Sequence, residues 1–419
     1  MKKILSIILI IFLTAFLIFF QKNQIPKNLT FDEVEFAKLA LSLEKQPYTP
    51  YSPLATGHST FYFYILLFSL KIFGINTFAL RLPSAIFAIL SSLIFFLILK
   101  KINQKFSFLA IIIFITSRWF INFSRFSFEA TFLLFLELTS IFFLLKNYQQ
   151  NKNFSFKNID LILSGLFAGL AFNSYTPGRI FFIVPLSIIL FHLIKNKQFN
   201  NLTNLTIKQL LYFLVPFVII ITPLTLYLLK NQDTRVDQLF FWKNHQMSIN
   251  EKITGTLENI KSTALMFFFK GDLNGRHNYP GKPALNPILA GLMIFGFFIS
   301  LKKFLKTKDF FSFIFIFYFF VSIFPSLPIY PWENPSMLRT FTTLPSIIFF
   351  VIQAIEFLNN FLIGKKLSQN LVFFIFYLLI LFSSFYELRT YFKYQAIVFD
   401  SAFEVKYPLE KAIKIKLNH

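Results

Sequence analysis

Long apolar stretches recur along this sequence and constrain its fold more than any other feature. The first covers residues 4–20, directly after Lys2 and Lys3, and contains no charged residue. Stretches of roughly 17 or more apolar residues are long enough to cross a bilayer as a helix. Only 14% of the residues are charged, whereas soluble domains carry about 25%. Because the apolar runs are continuous rather than alternating, the sequence predicts an all-α polytopic membrane protein and excludes a transmembrane β-barrel.

The positive net charge lies between the apolar stretches. The chain carries a formal charge of +22, which would also suit a protein that binds nucleic acid. Its basic residues, however, stand in short loops, as they do in the cytoplasmic loops of membrane proteins. We therefore expect no nucleic-acid partner. The chain has no cysteine, which excludes disulfides and thiolate chemistry.

About eleven membrane crossings are predicted, beginning with an uncleaved first span whose N-terminus is cytoplasmic. After residues 4–20 they cover residues 79–99, 106–122, 127–145, 159–175, 178–194, 209–229, 285–301, 310–325, 339–361 and 371–387. Residues 60–74 contain Lys71 and, at about 15 residues, are short for a crossing, so we place them in the membrane interface. With this count the lysine-rich loops all fall on the cytoplasmic side. They hold Lys100, Lys101, Lys105, Lys146, Lys152, Lys157, Lys195, Lys197, Lys208, Lys302, Lys303, Lys306, Lys308, Lys365 and Lys366.

The same count predicts one transmembrane domain, residues 1–387, followed by a short extracytoplasmic tail, residues 388–419. A first outer loop, residues 21–78, contains the interfacial helices, and a large outer loop covers residues 230–284. Neither the loops nor the tail is long enough for a large separate domain. Any active site must therefore form at the membrane domain itself.

The arginines separate from the lysines in this topology. All eight fall on or near the outer side: Arg81, Arg118, Arg125, Arg179, Arg235, Arg276, Arg339 and Arg389. A planar guanidinium group binds phosphate through two parallel hydrogen bonds, which lysine cannot do, so the pattern suggests a site for a phosphate-bearing ligand. Alternatively, such residues anchor helix ends at the lipid headgroups. The sequence alone leaves both interpretations open.

The segment 28–63, close after the first span, is the longest polar-containing run in the N-terminal half. Thr30 and Glu33 have the spacing of a helix-capping pair, and the mixed apolar and charged residues that follow predict a short helix at the membrane surface. Asp32 and Glu33 therefore stand side by side at the membrane boundary. Carboxylates in a first helical turn stabilise the helix dipole without any further role; the alternative is that they carry acid–base chemistry.

Several motifs together resemble one known family. Asp32-Glu33 is followed by Gly57-His58-Ser59-Thr60-Phe61-Tyr62, by Phe73-Gly74, Arg81 and Pro83-Ser84, by Ser124-Arg125, by Tyr175-Thr176-Pro177-Gly178-Arg179, by Gly271-Asp272, Arg276-His277 and Pro280-Gly281, and by Leu338-Arg339 with Leu344-Pro345. In this order and spacing they resemble the dolichyl-phosphate-mannose-protein mannosyltransferase-like glycosyltransferases, which depend on a lipid carrier and include the aminoarabinose transferase of lipid A. The resemblance covers most of residues 1–350 and implies the GT-C fold. The chain departs from it at Ser59-Thr60, where relatives usually carry paired prolines.

The resemblance implies a reaction and a set of site residues. A sugar on polyprenyl phosphate would pass to a protein, lipid or glycan acceptor at the extracytoplasmic face, with membrane lipids around the site. Asp32 matches the family's catalytic aspartate and is expected to act as general base, with Glu33 orienting the acceptor or the base. The residues expected to bind the donor phosphate are Arg339, Arg179, Arg81, Arg125 and His58. Those expected at the acceptor site are Arg276 and His277.

No cofactor is expected beyond the lipid-linked sugar, because the sequence shows no nucleotide-binding motif. No His/Asp cluster has the spacing of metal ligands, which predicts a metal-independent reaction. One alternative is a transporter or flippase for lipid-linked sugars, which should carry charges deep in its spans. Most of the predicted spans here are nearly free of charge, with Glu129 and Glu137 as the exceptions. Another is a polysaccharide polymerase or ligase that works through residues 230–284. The early Asp32-Glu33 pair favours the glycosyltransferase.

Overall fold

The computed structural model describes residues 2–148, 156–195 and 204–415, so Lys152 and Lys197 of the predicted cytoplasmic loops lie outside the described residues. Within these ranges the protein is almost entirely helical, with one small antiparallel hairpin of β1 (Tyr51–Ser52) and β2 (His58–Ser59). The helices are α1 (Lys2–Phe19), α2 (Phe31–Ser42), α3 (Phe61–Phe73), α4 (Thr77–Ile102), α5 (Ser107–Thr116), α6 (Arg118–Arg125), α7 (Ala130–Leu145), α8 (Asn158–Phe172), α9 (Ile183–Lys195), α10 (Asn204–Lys230), α11 (Thr234–Leu239), α12 (Ile249–Met266), α13 (Pro287–Thr307), α14 (Phe310–Ile323), α15 (Leu344–Gly364), α16 (Gln369–Arg389), α17 (Ala396–Ala402) and α18 (Leu409–Lys414).

Each of the eleven predicted spans contains a helix. Among the described residues, six helical segments are long and apolar enough to cross a membrane, namely those built on α4, α9, α10, α13, α15 and α16. The α5–α6 pair, bent by 56° at its junction, is a seventh candidate. The other predicted spans correspond to shorter apolar helices, α1, α7, α8 and α14. A multi-pass helical membrane protein is thereby confirmed, whereas the number of crossings and the interfacial position of α3 stay predictions.

One compact unit, unit 1, consists of Met1–Lys27, Ile102–Arg125 and Phe241–Ala402. Its α13 and α15 approach closely at Gly296, where a Cβ atom would come within 1.7 Å of the Phe350 carbonyl oxygen. Only glycine permits that approach, so the two apolar helices pack backbone to backbone. After α16 the chain passes through a π-helical turn, Thr390–Gln395, into α17.

The second compact unit, unit 2, consists of Asn28–Lys101, Phe126–Phe240 and Phe403–His419. In it α2 packs against α3, and α7, α8 and α10 pack together. Part of the predicted tail returns to this unit: the backbone of Val405 exchanges two hydrogen bonds with that of Leu29, at 2.9 and 3.0 Å. Helix α18 then packs on α2. The start of α2, where Asp32 and Glu33 lie, is thus held on both sides.

Candidate active site

Helix α2 begins at a complete capping box. The Glu33 backbone N–H donates to Oγ1 of Thr30 at 3.0 Å, and the Thr30 N–H donates to Oε2 of Glu33 at 3.1 Å. Two of the donors that a helix N-terminus leaves unpaired are satisfied in this way. The predicted cap is therefore confirmed, and it fixes the backbone that carries Asp32.

Glu33 is buried and its carboxylate is fully engaged. Oε1 accepts from Nε of Arg81 at 2.7 Å and from the Ser127 N–H at 2.9 Å, while Oε2 accepts from Nη2 of Arg81 at 2.9 Å in addition to Thr30. Nη2 of Arg81 also donates to the Asn28 carbonyl at 2.6 Å. All four of these hydrogen bonds to Glu33 thus come from the protein, and the buried guanidinium of Arg81 is paired with it. The predicted roles of Glu33 toward the acceptor or the base and of Arg81 toward the donor phosphate stay predictions.

Asp32 occupies the neighbouring position but a different environment. Successive residues of a helix point about 100° apart, so the two carboxylates face in different directions. Glu33 is buried, whereas Asp32 keeps part of its surface exposed. The Asp32 carboxylate also interacts electrostatically with Arg235. Of the two predicted catalytic carboxylates, Asp32 is the one that solvent or a substrate reaches.

His58 lies in β2 and is held at both ring nitrogens. Nδ1 donates to Oε1 of Glu129 at 2.9 Å, and both side chains are buried. Nε2 lies 2.9 Å from the Ala55 carbonyl oxygen and 3.2 Å from Nη1 of Arg235. As an imidazolium His58 donates to Ala55, and as a neutral ring it accepts from Arg235. The ring therefore supports Arg235 and the turn before β2, and its predicted contact with the donor phosphate stays a prediction.

The turn before β2 has an unusual backbone. Ala55, Thr56 and Gly57 all have positive φ, at 54°, 70° and 94°. Residues other than glycine adopt such angles only when their surroundings enforce them. A Cβ atom at Gly57 would lie 2.2 Å from both the Tyr51 hydroxyl and Oγ1 of Thr234. The turn is thus pressed against the start of α11, which carries Arg235.

Side chains from several segments of unit 2 surround the guanidinium of Arg235. Its Nη1 donates to Oγ1 of Thr56 at 2.9 Å, and its Cζ lies 5.8 Å from the centre of the Tyr175 ring. Burial alone would lower the pKa of Arg235, but Tyr175 and the carboxylates of Glu129 and Asp32 raise it above its usual value. A permanently charged guanidinium therefore lies beside the accessible Asp32.

Arg179 and Asp233 fix the position of α11. The Arg179 guanidinium contacts the Asp233 carboxylate, which also accepts from the Tyr51 hydroxyl at 3.0 Å and from the Val236 N–H at 3.2 Å. Burial alone would raise the pKa of Asp233, but the Arg179 charge and these hydrogen bonds hold it below its usual value. Asp233 is the N-cap of α11. Through Asp233, Arg179 therefore holds the start of the helix that carries Arg235 two residues later. Its Nη1 contacts Asp233, whereas its Nε is buried without a hydrogen-bond partner in the described structure, and its predicted contact with the donor phosphate stays a prediction.

Arg125, expected to bind phosphate, belongs to unit 1 and is fully buried there. Its guanidinium donates to the carbonyl oxygens of Leu17 and Ile18 at 2.9 and 2.8 Å, and twice to that of Ile25 at 3.1 and 2.7 Å. Leu17 and Ile18 lie in the last turn of α1 and Ile25 follows it, where carbonyl oxygens lack helical donors. Arg125 thus closes the end of α1, and its predicted contact with the donor phosphate stays a prediction.

The remaining predicted residues also belong to unit 1. Arg339 donates to the Glu333 carbonyl at 2.9 Å and to its carboxylate at 2.7 Å. His277 lies 2.9 Å from the carboxylate of Asp272, which in turn accepts from the Met337 N–H at 2.8 Å. Arg276 contacts Asn274. Their predicted roles toward donor and acceptor stay predictions.

The structure adds Arg235, Glu129 and Tyr175 to the residues expected from the sequence. Two of them carried a signal: Arg235 is one of the outer arginines, and Glu129 is a rare charge within an apolar stretch. Tyr175 stands in the motif that ends at Arg179, where the arginine drew attention instead. Nothing in the local sequence distinguishes Arg235 from the other arginines, because its partners lie far away in the chain.

Comparison with known proteins agrees with this architecture. Residues 57–227 match the family model of dolichyl-phosphate-mannose-protein mannosyltransferase. None of the curated proteins matches the sequence significantly. The matched region contains His58, Glu129, Tyr175 and Arg179, and ends shortly before Arg235.

Solved structures show the same fold at low sequence identity. ArnT from Cupriavidus metallidurans bound to undecaprenyl phosphate is 11% identical with a TM-score of 0.54, over 97% of this chain and 77% of that one. Its apo form is 10% identical with a TM-score of 0.55, over 99% and 78%. The archaeal oligosaccharyltransferase AglB from Archaeoglobus fulgidus, in complex with an inhibitory peptide and a dolichol-phosphate, is 13% identical with a TM-score of 0.52, over 96% and 56%. The predicted GT-C fold is confirmed, and this chain spans little more than half of AglB.

Proposed function

We propose that this chain is a glycosyltransferase of the GT-C type, which transfers a sugar from a polyprenyl-phosphate donor to an acceptor hydroxyl with Asp32 as the general base. The observation that carries this role is the contrast at the start of α2. Glu33 is buried against Arg81, and Asp32 stays partly exposed beside the Arg235 charge. A carboxylate held at an accessible position next to a fixed cation is what this transfer requires.

The reaction breaks the bond between the anomeric carbon and the phosphate oxygen of the donor. The bonding electrons leave with the polyprenyl phosphate, while the acceptor oxygen forms the new bond and its proton passes to Asp32. Positive charge develops on the sugar and negative charge on the departing phosphate. Arg235 is our candidate to stabilise that phosphate, because its charge is permanent and its position is fixed before the donor arrives.

The other polar residues of unit 2 act by positioning. Arg179 and Asp233 hold the start of α11, and His58 and Glu129 hold the turn that contacts Arg235. Because folding already fixes these side chains, the reaction does not have to supply the free energy that would be needed to orient them. Arg339, Arg276 and His277 stay candidates for donor and acceptor contacts.

The donor class and the side of the membrane belong to the same proposal. ArnT binds undecaprenyl phosphate and AglB forms a complex with a dolichol-phosphate, which supports a polyprenyl-phosphate sugar as the donor here. The lysine-rich loops support a site at the extracytoplasmic face. The acceptor is a protein, lipid or glycan hydroxyl. A transporter, flippase or polymerase is not favoured by these likenesses.

The test begins in a host that lacks the gene, whose surface glycans are compared with those of the wild type. The variant Asp32→Asn should fail to restore the missing glycan while the protein reaches the membrane at normal levels. Glu35→Gln is the matched control, since Glu35 stands two residues after Glu33 on α2 and, among the described residues, forms an ion pair with Lys38 in a partly exposed contact. Full restoration by Asp32→Asn would rule out the general-base role.

Binding separates the donor site from the chemistry. Undecaprenyl phosphate is titrated against purified protein in nanodiscs and detected by native mass spectrometry. Asp32→Asn should keep wild-type binding, whereas Arg235→Gln should weaken it about tenfold, the value of one hydrogen bond to a charged group. Arg235→Lys should recover only part of the loss because it lacks the planar fork. Unchanged binding in Arg235→Gln would move the phosphate site elsewhere, with Arg339→Lys as the next variant.

A further inference from the structure

Unit 1 contains a basic, tyrosine-lined pocket that the proposed reaction does not use. Its volume is about 310 Å³, and it lies where α16 ends and the loop before α13 passes by. The residues that line it are Tyr279, Lys282, Tyr386, Arg389, Thr390 and Tyr394. We call this the tyrosine–lysine pocket. Its size is at the lower end of the range for small-ligand sites.

The charges in the pocket are of one sign. Lys282 and Arg389 both line it, and the lining residues include no carboxylate. The ammonium of Lys282 lies 4.6 Å from the centre of the Tyr386 ring, and the guanidinium of Arg389 contacts Tyr394 through the ring face and the hydroxyl. Among the described residues neither cation has an acidic partner within ion-pair distance. Two cations held by aromatic rings and not neutralised by the protein attract an anion.

The hydrogen-bonding groups match an oxyanion with several acceptors. Lysine, arginine and tyrosine side chains supply donors of different reach, and arginine can offer two in one plane. The chain also changes geometry here, since α16 runs into the π-helical turn of Thr390–Gln395. Short π-helical segments within longer helices often accompany functional sites. The turn brings Thr390 and Tyr394 to the same pocket as Tyr386 and Arg389.

The neighbouring surface of α16 is apolar. Phe382 and Phe385 are 63% exposed and lie one helical turn before Tyr386 and Arg389, respectively, on the same faces of the helix. A ligand with a phosphate in the pocket and a hydrocarbon chain along these phenylalanines would satisfy both parts of the surface. Basic and aromatic residues at the end of an apolar helix are the pattern of headgroup recognition.

We propose that the tyrosine–lysine pocket binds the phosphate group of an anionic membrane lipid. The lipid would serve as a bound component of unit 1, and none of the lining residues is among those proposed for sugar transfer. This inference does not depend on the proposed function, because it concerns a binding equilibrium that is measured without donor or acceptor.

The test uses the full-length protein in nanodiscs of phosphatidylcholine with and without phosphatidylglycerol. Native mass spectrometry should detect retained phosphatidylglycerol on the wild type, and Lys282→Gln or Arg389→Gln should lower its affinity about tenfold. Lys393→Gln is the matched control, since Lys393 lies in the same π-helical turn but does not line the pocket. Lys282→Gln removes no hydrogen bond of the described structure, so it remains informative even where Arg389→Gln fails to fold.

A second arm adds inorganic phosphate to protein in neutral nanodiscs. Binding of inorganic phosphate that depends on Lys282 and Arg389, without selective phosphatidylglycerol retention, would keep the phosphate site but assign it a soluble ligand. Equal phosphatidylglycerol retention by wild type, Lys282→Gln and Arg389→Gln, together with no binding of inorganic phosphate, would overturn the proposal.

Discussion

Nδ1 of His58 lies 2.9 Å from Oε1 of Glu129, and both side chains are buried in unit 2. The second carboxylate oxygen of Glu129 is buried without a hydrogen-bond partner in the described structure. Most buried polar atoms are paired, so this oxygen depends on the charges around it. The guanidinium of Arg235 supplies a positive charge, and the ring of His58 contacts the other oxygen of the same carboxylate.

Replacing Glu129 by glutamine should therefore affect both stability and transfer. The His58 ring loses its charged partner, and Arg235 loses one of the carboxylates that compensate its charge. Breaking a buried ion pair costs about 3 kcal/mol, so the melting temperature of the purified protein should fall and transfer should decrease. The double variant with His58→Gln should lose less than the sum of the single variants. Strict additivity would show that the two side chains do not act together.

Stability should fall on the acid side because of Asp233. Its pKa is lower in the folded protein than in the unfolded chain, where it is about 3.9, since Arg179 and the hydrogen bonds to the carboxylate outweigh its burial. A group of this kind stabilises the fold above its unfolded pKa and loses that contribution as the pH falls through the folded pKa. Asp233→Asn should lower the melting temperature at pH 7 and show a smaller further decrease between pH 5 and 3.

The control for this titration is Asp400→Asn, because Asp400 is exposed in α17. It should leave the pH dependence of the melting temperature unchanged. If Asp233→Asn follows the wild-type curve throughout, the ion pair with Arg179 contributes nothing to stability, and another group must position α11.

Features that depend on neighbouring residues could be predicted from the sequence. Apolar length alone located a helix at every predicted span, because the membrane requires continuous helical hydrogen bonding. The spacing of Thr30 and Glu33 predicted the capping box, because both partners lie within one helical turn. The outer arginines could also be recognised because lysine predominates in the other loops, and Glu129 because it is a rare charge within an apolar stretch.

Features that depend on distant partners could not be predicted. Arg81 pairs with Glu33 across 48 positions, His58 with Glu129 across 71, and Arg179 with Asp233 across 54. These pairings show which protein groups already engage each arginine or histidine. The proposed division of the unit 2 motif residues into reactive and positioning groups therefore required the packing of unit 2.

The Glu33–Arg81 pair provides a direct test of that division. Glu33→Gln leaves a buried guanidinium with an uncharged partner, which should destabilise the protein by about 3 kcal/mol. Glu35→Gln on the same helix removes only the partly exposed contact with Lys38, worth about 0.5 kcal/mol or less. Thermal unfolding of the two variants in detergent measures the difference. Similar melting temperatures would mean that Glu33 is not a structural carboxylate and would favour its predicted contact with the acceptor.

The Gly57 position tests whether the turn before β2 matters for transfer. Alanine there would place Cβ 2.2 Å from the Tyr51 hydroxyl and Oγ1 of Thr234, at a φ of 94° that L-residues rarely adopt. The turn must then move away from α11, and Arg235 with it, so Gly57→Ala should reduce undecaprenyl-phosphate binding and transfer together. Gly291→Ala is the matched control, because Gly291 lies in α13 with no atom within 4 Å of its added Cβ. Alanine favours a helix over glycine by up to about 1 kcal/mol, so the control should retain activity and stability. Wild-type donor binding in Gly57→Ala would show that the turn and Arg235 are not coupled.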